Sequence, residues 1–212
     1  MNPSTTPLQQ ETETLLARHE REPEHARQVA RLALDLHEAL SPLHGHGAGE
    51  RALLECAALL HDIGWSVSGP DGKGHHKASA RLIRGHAWRT LDPVEVHCVA
   101  AVARYHRKAL PDPDHEDLKG LSAAERLRVA WLAACLRTAD GLDRRHLQAV
   151  DKVTLRHGRG GFELRVEASG PIDDELAAAD RKSDLLRSLL PGPLALSHAP
   201  SVGTGRRSHE SG

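Results

Sequence analysis

A mainly α-helical fold with a small C-terminal α+β appendage is predicted by three features of this sequence. Aromatic residues make up only 2% of it, while Ala, Leu and Arg, all good helix formers, dominate its middle. Apolar residues recur at helical spacing in stretches such as EHARQVARLALDLHEAL and RLRVAWLAACLRTAD. At Val150 the character changes, and KVTLRHGRGGFELRVEAS alternates around a Gly-rich turn, the pattern of a β-hairpin.

The elements follow in order. A first helix is expected from Thr5 to His19, and a second from about Pro23, a residue tolerated in a helix's first turn. Gly49 to about Ile63 is apolar nearly all round, so it reads as a buried central helix stopped by Gly64, with His61 and Asp62 in its last turn. WSVSGPDGKG reads as a loop over that end. Helices are expected at His75 to Ala87 and Asp92 to Arg107, the latter with Pro93 in its first turn. PDPDHEDLKG is a loop long enough to act as a lid. Ser122 and Glu125 form a capping box that starts a helix running to about Asp140. After the hairpin, Asp173 to Leu189 returns to helical periodicity, and LAL at 194–196 supplies a short strand for the hairpin. The expected organisation is a helical body over 1–150, a hairpin and helix over 151–197 packed on it, and a disordered tail over 198–212, with the first few residues also disordered.

Composition narrows the function classes. The 212 residues suffice for one substantial core, and 39% apolar with 27% charged residues is a globular balance. A net charge of -1 gives no global basic field for nucleic acid or an anionic membrane, so attraction for an anion must be local. No stretch approaches a membrane span and MNPSTTPLQQETE is not a secretory signal, so a cytoplasmic protein is expected. Cys56, Cys98 and Cys135 lie far apart in apolar stretches and read as core residues. A homo-oligomer is compatible with the sequence.

The chemistry concentrates at His61-Asp62, inside ALLECAALLHDIGW. An imidazole and a carboxylate are costly to desolvate, and a divalent cation would compensate both. His25, at the start of an amphipathic stretch, and Asp140, at the end of another, complete a His…His-Asp…Asp set. Neutral nitrogen and carboxylate oxygen suit a first-row transition metal, and three or four such ligands leave positions open for water and substrate. His75-His76 and His106 add nitrogen for a second ion, which Asp62 would bridge to the first. Asp143 follows Asp140 by three residues, close to the same helical face, where it would orient a ligand or the water. Lys77, Arg107, Lys108 and Arg144 stand beside these motifs as candidate phosphate binders. His19, His37, His44, His46, His86, His97, His115, His146, His157, His198 and His209 read as ordinary packing or hydrogen-bonding residues.

Six strings in order, EHARQVARLALDL, LLECAALLHDIGWSVS, GHHKASARLIR, VARYHRK, LRTADGLDRRHLQAV and ELAAADRKSDLL, resemble the HD-domain metal-dependent phosphohydrolases. More narrowly they resemble the C-terminal HD domain of exopolyphosphatase/guanosine-pentaphosphate phosphohydrolase proteins. The resemblance implies an HD helical bundle. It also implies one or two divalent ions (Mn, Fe, Zn, Co, Ni or Mg) on His25, His61, Asp62, His76, His106 and Asp140, and a phosphorylated small molecule or nucleotide as substrate. Relatives more consistently present the histidine matching His76, whereas spacing in other HD enzymes points to His75. His76 is preferred as the ligand, leaving His75 as a neighbouring group or proton donor to the leaving group. In the full-length family, polyphosphate cleavage belongs to an upstream pair of actin-like domains to which nothing here corresponds, so exopolyphosphatase activity is not implied. Two other classes are compatible with the sequence: a non-catalytic module that binds polyphosphate or nucleotide, and a di-iron oxygenase.

Overall fold

The computed structural model describes residues 5–200, and within them the chain is mainly α-helical with one small sheet. Eight α-helices are formed: α1 (Pro7–His19), α2 (Pro23–His44), α3 (Ala48–Leu59), α4 (His75–Gly85), α5 (Pro93–Arg104), α6 (Ala123–Gly141), α7 (Asp173–Lys182) and α8 (Asp184–Leu189). Three strands, β1 (Val150–Gly158), β2 (Gly161–Ala168) and β3 (Leu194–Pro200), make the sheet. No helix among the described residues is long and apolar enough to cross a membrane.

The helix starts obey local chemistry. Thr6, Asp92 and Ser122 cap α1, α5 and α6, each completing a box with Gln9, Glu95 or Glu125. Because Thr6 is the cap, α1 begins at Pro7 and not at Thr5. Pro23 and Pro93 occupy first-turn positions where no intrahelical N–H is needed. At its far end α2 stops at Gly45, whose φ of 66° is the left-handed conformation that glycine adopts at least cost.

Leu32, Leu36 and Leu40 form a fully buried stripe on α2, each worth about 1.5–3 kcal/mol of apolar burial. α2 packs on α3 and α6, and α6 in turn on α5 and α7, with α4 laid against α5. The apolar cluster continues without a break into Val150, Leu164, Val166 and Leu194 of the sheet. Gln28 and Arg31 of α2 donate to the Val150 carbonyl at 2.7 and 2.6 Å, which docks β1 on the helical body. β1 and β2 form an antiparallel hairpin, and β3 joins β2 in parallel, Phe162 facing Leu194 and Ala168 facing Pro200.

Several boundaries differ from the sequence expectation. α3 stops at Leu59, so His61 and Asp62 lie past the helix in a turn. The cause is His61 itself, whose Nδ1 donates to the Ala58 carbonyl at 2.7 Å and caps the helix with its own side chain. The segment expected to be an open loop begins with a 3-10 turn at Ile63–Val67, held by Ser79 Oγ accepting the Gly64 N–H. α4 ends at Gly85, two residues before Ala87. Similarly, α5 ends at Arg104, ahead of Arg107, because the His106 ring caps the Ala103 carbonyl at 2.7 Å. The single helix expected over 173–189 is two, divided at Ser183, whose hydroxyl bonds back to Ala179. β3 is longer than LAL and runs to Pro200, so residues 198–200 belong to the sheet and not to the tail; the rest of that segment, like the first residues, lies outside the described residues.

Cys56, Cys98 and Cys135 are buried among apolar side chains. Desolvation pushes their thiols up to about 12, 11 and 12, which removes them from thiolate chemistry near neutrality.

Candidate metal centre

Five segments converge on one cavity of about 510 Å³: the start of α2, the turn after α3, the start of α4, the turn after α5 and the end of α6. Each contributes a histidine or carboxylate. The four histidines share one construction. His61, His75 and His106 each donate Nδ1–H to the carbonyl three residues back, Ala58, Gly72 and Ala103, at 2.7, 2.9 and 2.7 Å. His25 donates Nδ1–H to Asp143 Oδ2 at 2.8 Å. With Nδ1 carrying the proton, every Nε2 is left as a lone pair turned toward the others.

The donors sort into two groups. His25, His61 and Asp140 each place one ligand atom within 4.8 Å of the other two, and so do Asp62, His75 and His106. Asp62 joins the groups: its Oδ2 lies 3.6 Å from His61 Nε2, while its Oδ1 lies 3.2 Å from His75 Nε2 and 3.5 Å from His106 Nε2. His25 Nε2, His61 Nε2 and Asp62 Oδ1 are buried without a hydrogen-bond partner. Such orphans are costly in an interior, by about 1–3 kcal/mol each, and their convergence fits this donor set to divalent ions.

The protonation states suit that role. Burial alone would raise Asp62, but His61, His75 and His106 around it outweigh desolvation and hold its carboxyl well below the usual range. Asp140 is likewise opposed by burial and held down by Lys182, whose ammonium is ion-paired with Oδ2, and by His106 and His61. Burial drives His106 well below the ordinary imidazole range, with Asp62 and Asp140 nearby opposing the shift. Ionised carboxylate and neutral imidazole are the ligating forms.

His25, His61, Asp62, His75, His106 and Asp140 are thus brought together, and Asp143 meets His25 from behind while accepting the Gln148 N–H at 2.8 Å. Of the neighbouring pair, it is His75 and not the preferred His76 that the fold sets beside Asp62 and His106. His75 carries Nε2 into the Asp62–His106 group, because Gly72 and Gly74, at φ of 59° and 83°, fold the entry to α4 so that its Nδ1 caps Gly72. His76, about 100° further round that helix, faces a separate groove with Lys73 and Lys108. Burial and the nearby Arg104 push its ring down to about 4.

Among the expected phosphate binders, Arg107 and Arg144 line the cavity, and Arg107 also donates to His75 Nε2 at 3.2 Å. Lys108 lines the His76 groove instead, and Lys77 is exposed on α4 and lines neither. Sequence reasoning missed Arg21, His146, Arg181 and Lys182 in the cavity wall. The string ELAAADRKSDLL contained the signal for the last two. His146 stacks on His25 at 3.7 Å between ring centroids and ion-pairs with Glu22. Trp65 closes another side, stacked on His75 at 4.6 Å, in the space that a Cβ on Gly72 would fill.

Fold and site together define a helical protein with paired histidine–carboxylate clusters under a cationic rim. The family model described as Ppx/GppA phosphatase, domain III, matches residues 9–182, and the chain belongs to that family. The match spans every cavity residue from His25 to Lys182. No curated protein matches the chain.

Proposed function

We propose that this chain is an HD-type, metal-dependent phosphohydrolase acting on a phosphate ester or nucleotide. The observation carrying the proposal is the pair of adjoining ligand groups, linked through Asp62 and carrying buried, unpartnered Nε2 and Oδ1 atoms, at the floor of a cavity rimmed by arginine. His25, His61 and Asp140 would hold one ion and His75 and His106 a second, with Asp62 adjoining both groups. The chemistry such ions would supply when bound is an acidified water and polarisation of a phosphoryl oxygen.

The chain's own residues do the rest. Asp143 holds the His25 ring so that Nε2 faces inward, and the three backbone carbonyls do the same for the other histidines. Arg21, Arg107, Arg144 and Arg181 offer guanidinium forks to the non-reacting phosphate oxygens and offset the charge that grows on them. Lys182, paired with Asp140, sets the charge at the cavity floor and lines the same cavity. Family membership supports a phosphatase-related role.

The test combines elemental analysis of purified protein with a phosphate-ester and nucleotide screen, on wild type, His61→Ala and Asp62→Asn. Metal in wild type that both variants lose, together with metal-stimulated phosphate release that both variants lack, is the expected result. Equal hydrolysis by wild type and His61→Ala would remove the proposal.

A further inference from the structure

A second histidine cluster lies outside the cavity. His37 and His44 are seven residues apart on α2, two turns, and therefore share a face. Gly45 then ends the helix in the left-handed region and turns the chain back, which sets His46 beside them. The rings form a fan with His44 in the middle: its centroid is 4.5 Å from His37 and 4.5 Å from His46, which are 6.1 Å apart. One nitrogen from each lies within 4.8 Å of the other two.

Two of those rings have buried nitrogens with nothing to bond. His37 is 4% exposed, and its Nε2 has no partner; the Nδ1 of His46 is also buried without one. A buried polar atom left unpaired requires a physical reason, and here two such atoms belong to one cluster of three histidines. His44 is held between them, its Nε2–H donating to the His37 carbonyl and its Nδ1 accepting the His46 N–H, both at 2.9 Å. The edge of Trp131 on α6 packs against it.

We infer that His37, His44 and His46 form a transition-metal site separate from the cavity. Binding gives His37 Nε2 and His46 Nδ1 their missing partner, while His44 exchanges one backbone hydrogen bond for the ion. The ligand class follows from the donors. Three imidazoles with no carboxylate among them select Zn²⁺, Ni²⁺ or Cu²⁺, and offer little to Mg²⁺ or Ca²⁺, which take oxygen ligands. Glu50, in the first turn of α3, is committed elsewhere, accepting the Gly47 N–H at 3.1 Å and facing Arg128 at 3.3 Å. His37 stands twelve residues beyond His25 on the same helix, about 18 Å along the axis, so the two sites share no ligand.

The site is tested on tag-free, full-length protein freed of metal by chelation, titrated with Ni²⁺, Zn²⁺ or Cu²⁺ in a calorimeter. Variants are His46→Ala, in the half-buried turn outside the helices, and His44→Gln, with circular dichroism to confirm the fold. Wild type should take up one equivalent that both variants bind at least tenfold more weakly and that His61→Ala retains. Cu²⁺ bound to His61→Ala protein should show nitrogen hyperfine structure from several imidazoles in its EPR spectrum, with fewer couplings after His46→Ala is added. Identical stoichiometry and affinity in wild type, His46→Ala and His44→Gln would overturn the inference. Since the assignment shares no residue with the cavity, failure of the phosphohydrolase proposal would leave these outcomes unchanged.

Discussion

Acidification from pH 7.5 to 5 should strip several kcal/mol from the metal-free protein, through His37 and His76. Both rings are 4% exposed. Burial, reinforced for His37 by His44, His46 and Arg51 and for His76 by Arg104, His75, Arg107 and Lys108, pushes each down to about 4. Glu50 opposes the shift at His37 without reversing it. In the unfolded chain the same rings titrate near about 6.5, so the unfolded state takes up protons first. The stability these rings permit is therefore complete above about pH 6.5, falls as pH drops from there, and levels off below about 4. At pH 5 each ring accounts for about 2 kcal/mol, together about 4, and a urea slope of about 2–3 kcal/mol/M turns that into a midpoint lower by about 1.3–2 M. His106, also driven down by burial, adds in the same direction. The assay is urea denaturation followed by circular dichroism at pH 7.5, 6 and 5 with chelator, for wild type, His37→Gln and His76→Gln. Each variant should lose about 2 kcal/mol of the pH dependence. A midpoint that does not move between pH 7.5 and 5, or a full wild-type dependence in both variants, would refute the reasoning.

Other perturbations have equally definite outcomes. Asp143→Asn removes the charged acceptor behind His25 and should weaken metal binding by about 10–100-fold, read by titration against a chelating dye, with the fold retained. Gly141→Ala would set a Cβ 2.5 Å from Ala179 Cα; α7 must then shift, costing about 1–3 kcal/mol in thermal denaturation and parting Lys182 from Asp140. Arg137, 3% exposed, donates to the Tyr105 carbonyl at 2.9 Å and forks onto Asp184. Arg137→Leu should cost about 2–3 kcal/mol through the unpaired carbonyl and carboxylate, and should loosen the turn bearing His106, seen as faster amide exchange over 105–108.

The helices and their starts were legible because caps are local chemistry: Asp92 with Glu95 and Ser122 with Glu125 are visible three residues apart. Helix ends were not legible where a ring from the next turn ends them. Apolar periodicity runs through His61 and His106, yet each turns back to cap a carbonyl. That His25, His61-Asp62, His106 and Asp140 come together was legible because paired polar groups in apolar surroundings stand out. Choosing His75 over His76 depended on two left-handed glycines, whose backbone angles no spacing rule supplies. Lys182 meets Asp140 across 42 residues, with the β1–β2 hairpin and the length of α7 between them, so its place follows only from tertiary packing.

Trp65, stacked on His75, makes the cavity its own optical instrument. An indole in face contact with an imidazole emits according to that ring's charge and coordination, since a protonated or ion-bearing imidazole withdraws electron density that a neutral one does not. The chain has three tryptophans. Trp131 edges His44 instead, and Trp88 donates its indole N–H to the Ile83 carbonyl at the end of α4. One emission spectrum therefore superimposes a signal from the cavity wall, a signal from the second histidine cluster and a background from neither. Replacing the indoles singly would separate them, so that occupancy at either place can be followed in unlabelled protein as a change in colour and intensity.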